Sequence, residues 1–166
     1  LYDEPTGRLA LVFELMDCNL YDTINGRKNY IPETKVKHQV YQILKGIEHM
    51  IEMEFSIENQ AVSSLYTSEN ILISDEVVKI ADFDRVEDFI QTAFHCKSQF
   101  IFQEYISTRW YRAPECLLTD GYYGYKMDLW GTGCVFFEVL GLIPLFPGNN
   151  ELDQVHKIHN ILGTPE

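Results

Sequence analysis

The run Ser107-Thr108-Arg109-Trp110-Tyr111-Arg112-Ala113-Pro114-Glu115 sets two arginines and two large aromatics directly ahead of a proline–glutamate pair. Pro114 suits the first turn of a helix, where its fixed φ and missing N–H do no harm. A short helix ending near Leu118 is therefore expected. Motifs lie on both sides of this run. Upstream, Asn70 heads the apolar stretch Ile71-Leu72-Ile73, and Ala81-Asp82-Phe83-Asp84 follows it. Downstream come Met127-Asp128-Leu129-Trp130-Gly131-Thr132-Gly133-Cys134 and Pro144-Leu145-Phe146-Pro147-Gly148.

The bulk properties limit what such a chain can be. Its 166 residues suffice for one domain with a substantial core, and 46% hydrophobic with 13% aromatic content is globular rather than disordered. The net charge of -12, from 25 acidic residues against 13 Lys plus Arg, argues against nucleic acid or an anionic membrane as a main partner. Both of those need a basic footprint. Cys18, Cys96, Cys116 and Cys134 have neither metal-ligand spacing nor the look of a disulfide framework, so a reducing, cytoplasmic setting is expected. The sequence has no signal-peptide pattern and no run of about 18 apolar residues. The start at Leu1 and the end at Thr164-Pro165-Glu166 read as cuts through a larger fold.

Along the chain, Leu9-Ala10-Leu11-Val12-Phe13-Glu14-Leu15 follows the turn signal Pro5-Thr6-Gly7 and reads as a buried strand. Asn19 to Asn25 suits a short helix closed by Gly26. Pro32 opens a longer helix whose apolar face is Val36, Val40, Ile43, Leu44, Ile47 and Met50. Asn70 to Ile73 and Val77 to Ile80 form a hairpin through Ser74-Asp75-Glu76. Tyr125 to Leu140 is a hydrophobic helix carrying Leu129, Trp130, Val135, Phe136 and Val139. A final helix, capped by Asn149 or Asn150, runs through Leu152, Val155, Ile158 and Ile161-Leu162 and stops at Gly163 and Pro165.

Taken together, these motifs resemble the large lobe of a protein kinase. The W-Y-R-A-P-E form is that of the CMGC group (cyclin-dependent, MAP and related kinases), on its MAK/MOK-like branch. The resemblance implies an α+β, protein-kinase-like fold, mainly the α-helical C-lobe with the hinge strand, with the N-lobe and last helices absent. Residues 1–18 would be the last N-lobe strand and hinge. Residues 19–166 would be the C-lobe through the helix after the central one. The apolar surface around Leu15, Leu72 and Trp130 is then expected to be exposed.

The resemblance also assigns roles. Phe13 becomes the gatekeeper, Glu14 to Met16 offer the backbone edge that reads adenine, Asn19 lies at a ribose contact, and Leu72 belongs to the nucleotide site. Asn70 and Asp82 are candidate magnesium ligands, since hard cations take oxygen donors. In the activation segment, Gln103-Glu104-Tyr105 leaves Tyr105 as a phosphosite in reach of Arg109 and Arg112. Thr108 to Glu115 is the substrate-side edge. There Arg112 lines the pocket for a proline after the phosphoacceptor, and Glu115 pairs with an arginine beyond Glu166. Asp128 would cap the backbone of the catalytic loop.

The catalytic loop departs from the pattern. Counting back from Asn70, the His-Arg-Asp positions hold Ser63, Ser64 and Leu65, and the lysine position holds Thr67. An alternative register through Glu58-Asn59, with Glu54 at the aspartate position, is too short and leads into a poorer strand. Phosphoryl transfer relies on positioning and charge neutralisation. Leu65 cannot accept a proton, Thr67 carries no charge, and Ser64 removes the arginine that would bind a phosphorylated loop. Asp84 replaces the glycine of the D-F-G position, where a Cβ restricts the backbone. The expectation is a kinase-like domain without phosphotransferase activity, acting on protein partners, with ATP and magnesium binding in doubt. The alternatives are an active Ser/Thr kinase completed by other parts of the protein, and a structural component of cilia or flagella.

Overall fold

The computed structural model describes residues 2–3, 7–52, 67–81, 108–118 and 126–164. Two short strands, β1 (Tyr2–Asp3) and β2 (Arg8–Leu9), pair antiparallel. A three-stranded antiparallel sheet follows, in the order β3 (Cys18–Asn19), β4 (Ile71–Ser74), β5 (Val77–Ile80), with Cys18 opposite Ile73 and Leu72 opposite Lys79. The helices are α1 (Leu20–Ile24), α2 (Glu33–Glu52), α3 (Pro114–Leu118), α4 (Lys126–Gly141) and α5 (Glu151–Leu162). Single 3₁₀ turns at Ser68–Asn70 and Thr108–Tyr111 precede β4 and α3.

The local reasons for these elements are visible in the side chains. Asn19 caps α1, its Oδ1 accepting from the Asp22 N–H at 2.8 Å. The Pro32 carbonyl accepts from the Lys35 and Val36 amides and so starts α2. Asp75, at φ +55, turns the β4–β5 hairpin, a conformation that Asp adopts more readily than most residues. Asp17 pins that turn by accepting from the Ser74 hydroxyl and the Asp75 amide. Asn150, rather than Asn149, caps α5: its Oδ1 accepts from Asp153 N at 2.9 Å, while Asp153 accepts from Asn149 N. Gly163, at φ +85, ends the helix, and its N–H bonds the His159 carbonyl.

The core lies where α2, α4 and the β3–β4–β5 sheet meet. Val36, Ile43 and Ile47 of α2 pack with Ile71 and Ile73 of β4 and with Val135 and Val139 of α4. Gln42 joins helix to sheet through two bonds, donating to the Glu76 carbonyl at 2.7 Å and accepting from Val78 N at 3.0 Å. Trp130 stacks on Phe146, with ring centroids 5.6 Å apart. Among the described residues no helix is long and apolar enough to cross a membrane.

Two expectations need correcting. Leu9 to Leu15 does not form a buried strand: β2 ends at Leu9, residues 10–16 have no regular structure, and Phe13 and Leu15 are 77% and 92% exposed. A continuous apolar run becomes a buried strand only when both faces are covered, and no described element lies over this one. It is tied to the sheet at its end, where Asp17 N bonds the Ile73 carbonyl at 3.0 Å and Glu14 pairs with Lys79. The outer face of α5 is also more exposed than its pattern implied: Ile158 and Gln154 are buried, but Leu152, Ile161 and Leu162 face solvent. Exposure at Leu15 matches expectation, whereas Leu72 and Trp130 are half-buried.

Candidate functional site

The β3–β4–β5 sheet brings together some of the residues assigned to nucleotide. Asn19 and Leu72 are direct partners across β3 and β4, and Leu72 faces Lys79 on the other side. Lys79 in turn holds Glu14. Asn70 ends the turn just before β4, and its carbonyl accepts from Ala81 N at 2.9 Å. The chain therefore leaves β5 beside Asn70. Phe13 is exposed and Met16 half-buried, away from this cluster's described contacts. Asp82, Leu65 and Tyr105 lie outside the described residues.

The Ser68–Asn70 turn points inward. Thr67, at the position the resemblance gives to lysine, is 3% exposed, and Ser68 is buried beside it. The Ser68 hydroxyl lies 3.4 Å from the Tyr111 hydroxyl, which donates to Glu138 Oε2 of α4 at 2.7 Å. Burial pushes the Glu138 carboxyl above the usual carboxylate range. Hydrogen bonds from Tyr111 and Ser68 pull it back, and the nearby Glu69 raises it further. Burial, and then the charge of Glu138, drive the Tyr111 hydroxyl upward as well. Sequence reasoning missed both Ser68 and Glu138.

Beyond Tyr111, the 109–115 segment is anchored to the start of α5. Arg109 donates to the Asn149 carbonyl at 3.1 Å, and the Trp110 indole N–H donates to the Gly148 carbonyl at 2.9 Å. Gln154 closes the unit: its Oε1 accepts from Gly148 N at 3.0 Å and its amide donates to the Trp110 carbonyl. Gly148 is required here, because a Cβ would lie 2.6 Å from Gln154 Cα and 2.8 Å from its Cβ. Arg112 is half-buried and Glu115 exposed. Both charges act on the buried Cys116 thiol, in opposite directions, while burial pushes that thiol up to about 11. Thr108 begins the turn that carries this edge.

Asp128, in the first turn of α4, is 5% exposed, and its Oδ1 finds no hydrogen-bond partner among the described residues. Desolvation pushes its carboxyl up to about 7. The catalytic-loop backbone that it would cap, around residues 63–65, lies outside the described residues.

The fold family implies ATP and magnesium. Asn19, Leu72 and Asn70 fit part of that requirement: a half-buried apolar floor, a carboxamide at its edge, and one hard oxygen. Asn19 already uses Oδ1 as a helix cap, which leaves its NH₂ group for a ligand. Magnesium takes near-octahedral oxygen coordination, and the described residues bring no group of three or more His, Cys, Asp or Glu together. These residues would border a nucleotide, and its chemistry would be phosphoryl transfer from the bound ATP.

Comparison with known proteins agrees with the geometry. The family model for the protein kinase domain matches residues 2–165. The MAPK/MAK/MRK overlapping kinase of Homo sapiens is 48% identical over 99% of this chain and 36% of its own length, and the Mus musculus protein of that name gives the same figures. Cyclin-dependent kinase F-3 of Oryza sativa is 39% identical over 95% of this chain and 34% of its own. The chain thus spans about a third of the length of the curated relatives it matches. The fold, the order of its motifs and these likenesses agree: the chain belongs to the protein kinase domain family.

Proposed function

We propose that this kinase domain recognises protein partners through the Arg109–Glu115 edge and does not itself transfer phosphate. The observation that carries this reading is the burial of Thr67. Phosphoryl transfer needs a cation next to the transferring group. Thr67 has no charge, and it is buried in the domain. Leu65, at the aspartate position, supplies no proton acceptor.

Support for recognition comes from the other side of the domain. Arg109 and Trp110 are joined to the α5 start by three hydrogen bonds between 2.9 and 3.4 Å, so the edge is preorganised, which lowers the entropic cost of binding. Arg112 stands half-exposed on it, with the fork of donors that suits carboxylate or phosphate groups. Nucleotide binding by the full-length protein, measured with and without magnesium, tests the proposal. Binding that is weak or absent, and unchanged by the metal, supports a recognition module. Tight, magnesium-dependent binding points instead to a working nucleotide site and the active-kinase alternative.

A further inference from the structure

We propose that Asn25 is a site of spontaneous deamidation, and that the Arg27 side chain sets its rate by holding the turn between α1 and α2 closed. Asn25 is the only asparagine in the sequence that is followed by glycine. Glycine has no Cβ, so its backbone nitrogen can approach the preceding carboxamide with little steric hindrance. Asn25 and Gly26 occupy the two corners of a type II turn. Asn25 lies at φ -61 and ψ 128, Gly26 at φ +70, and the Arg27 N–H donates to the Ile24 carbonyl at 3.2 Å. Both corner residues are exposed, and nothing lies within 4 Å of where a Gly26 Cβ would stand. Neither the Asn25 carboxamide nor the Gly26 N–H has a hydrogen-bond partner among the described residues. Electrophile and nucleophile are therefore both free, but ψ 128 turns the Gly26 nitrogen away from Asn25 Cγ. Ring closure needs rotation about that bond, and with it loss of the Arg27 to Ile24 bond. Arg27 resists the rotation with a fork across the turn: Nη1 donates to the Thr23 carbonyl at 3.3 Å and Nε to the Asn29 carbonyl at 3.4 Å.

Once the turn opens, the Gly26 nitrogen gives its proton to hydroxide and bonds to Asn25 Cγ. The carboxamide nitrogen takes up a proton and leaves as ammonia, which closes a succinimide. Water then opens that ring at either carbonyl and leaves an aspartyl or an isoaspartyl residue. The balance is ammonia lost and water gained, with no oxidant, metal or partner required. The new carboxylate stands in the loop that carries Arg27 and Lys28, and Lys28 holds no carboxylate among the described residues, whereas Lys37, Lys45, Lys79 and Lys157 each hold one. Deamidation thus turns a neutral side chain into an anion beside two cations. The isoaspartyl form also lengthens the main chain inside the turn. None of this depends on whether the domain transfers phosphate.

Ageing of the full chain at pH 6 and pH 8, followed by peptide mapping with mass spectrometry, tests this. The peptide containing Asn25 should gain the mass of an amide-to-acid exchange and split into two separable products, faster at pH 8. Peptides containing Asn29 or Asn149 should stay unchanged, and Asn25→Gln should abolish the conversion. Arg27→Lys keeps the charge but not the two-carbonyl fork. It should speed conversion about two- to tenfold, the range expected for losing such bonds, with no change in melting temperature. An Asn25 peptide that stays intact in the full chain, while a free peptide of residues 21–30 deamidates beside it, would overturn the site. An Arg27→Lys rate equal to the parent's, or an acceleration matched by a fall in melting temperature, would overturn control by Arg27.

Discussion

Replacing Asp128 by asparagine changes one buried charge with almost no change in shape. In the folded chain, burial raises this carboxyl from its ordinary value of 3.8 to about 7, and Oδ1 has no partner among the described residues. Each tenfold change in proton affinity is worth about 1.4 kcal/mol, so keeping Asp128 ionised at pH 8 costs the fold about 4 kcal/mol. The folded state holds the proton up to about pH 7, whereas the unfolded chain releases it near 3.8. Between those values the folded state binds more protons, and this contribution to stability falls as pH rises. Asparagine removes the charge but buries an amide with unmet bonds, which costs roughly 1–3 kcal/mol. The net expectation is that Asp128→Asn is about 1–3 kcal/mol more stable than the parent at pH 8. At pH 4 it should show no advantage. Urea unfolding at intervals from pH 4 to 8 measures both quantities. Equal pH slopes in the two proteins, or a variant less stable at pH 8, would refute the reasoning. The second result would mean that the Asp128 carboxylate has strong donors, as a cap on the 63–65 backbone would supply.

Three further substitutions test how the candidate site is positioned. Gly148→Ala places a methyl group against the Gln154 backbone. It should cost about 2–3 kcal/mol and free the Trp110 indole, seen as a change in Trp fluorescence. Gln42→Ala removes both bonds between α2 and the hairpin under Leu72. A loss of about 1–2 kcal/mol and faster exchange of the Val78 amide are expected. Leu15→Asn alters a side chain that is 92% exposed, so the melting temperature should barely move, within about 0.5 kcal/mol, while aggregation on heating should fall.

How far the chain could be read from sequence depended on whether the deciding interaction was local. The α5 cap, the start of α2 at Pro32 and the Asp75 turn all depend on neighbours within four residues, and all appear as expected. The kinase family was legible because its motifs keep order and spacing over the whole chain. The Leu9–Leu15 run was misread because its apolar character says nothing about whether another layer covers it. Ser68 and Glu138 carried no signal at all: serine in a turn and glutamate in a helix are ordinary, and only folding brings them to Tyr111. Asn19 shows the intermediate case. Its motif position suggested a ligand contact, and its side chain also serves as a helix cap; the one role does not exclude the other.

The proposed loss of phosphoryl transfer is measured directly by ATP turnover of the full-length protein with magnesium. The account predicts no turnover above background, and an Asp82→Ala variant that behaves identically. Turnover by the parent that disappears in Asp82→Ala would contradict it and place this domain among the active kinases.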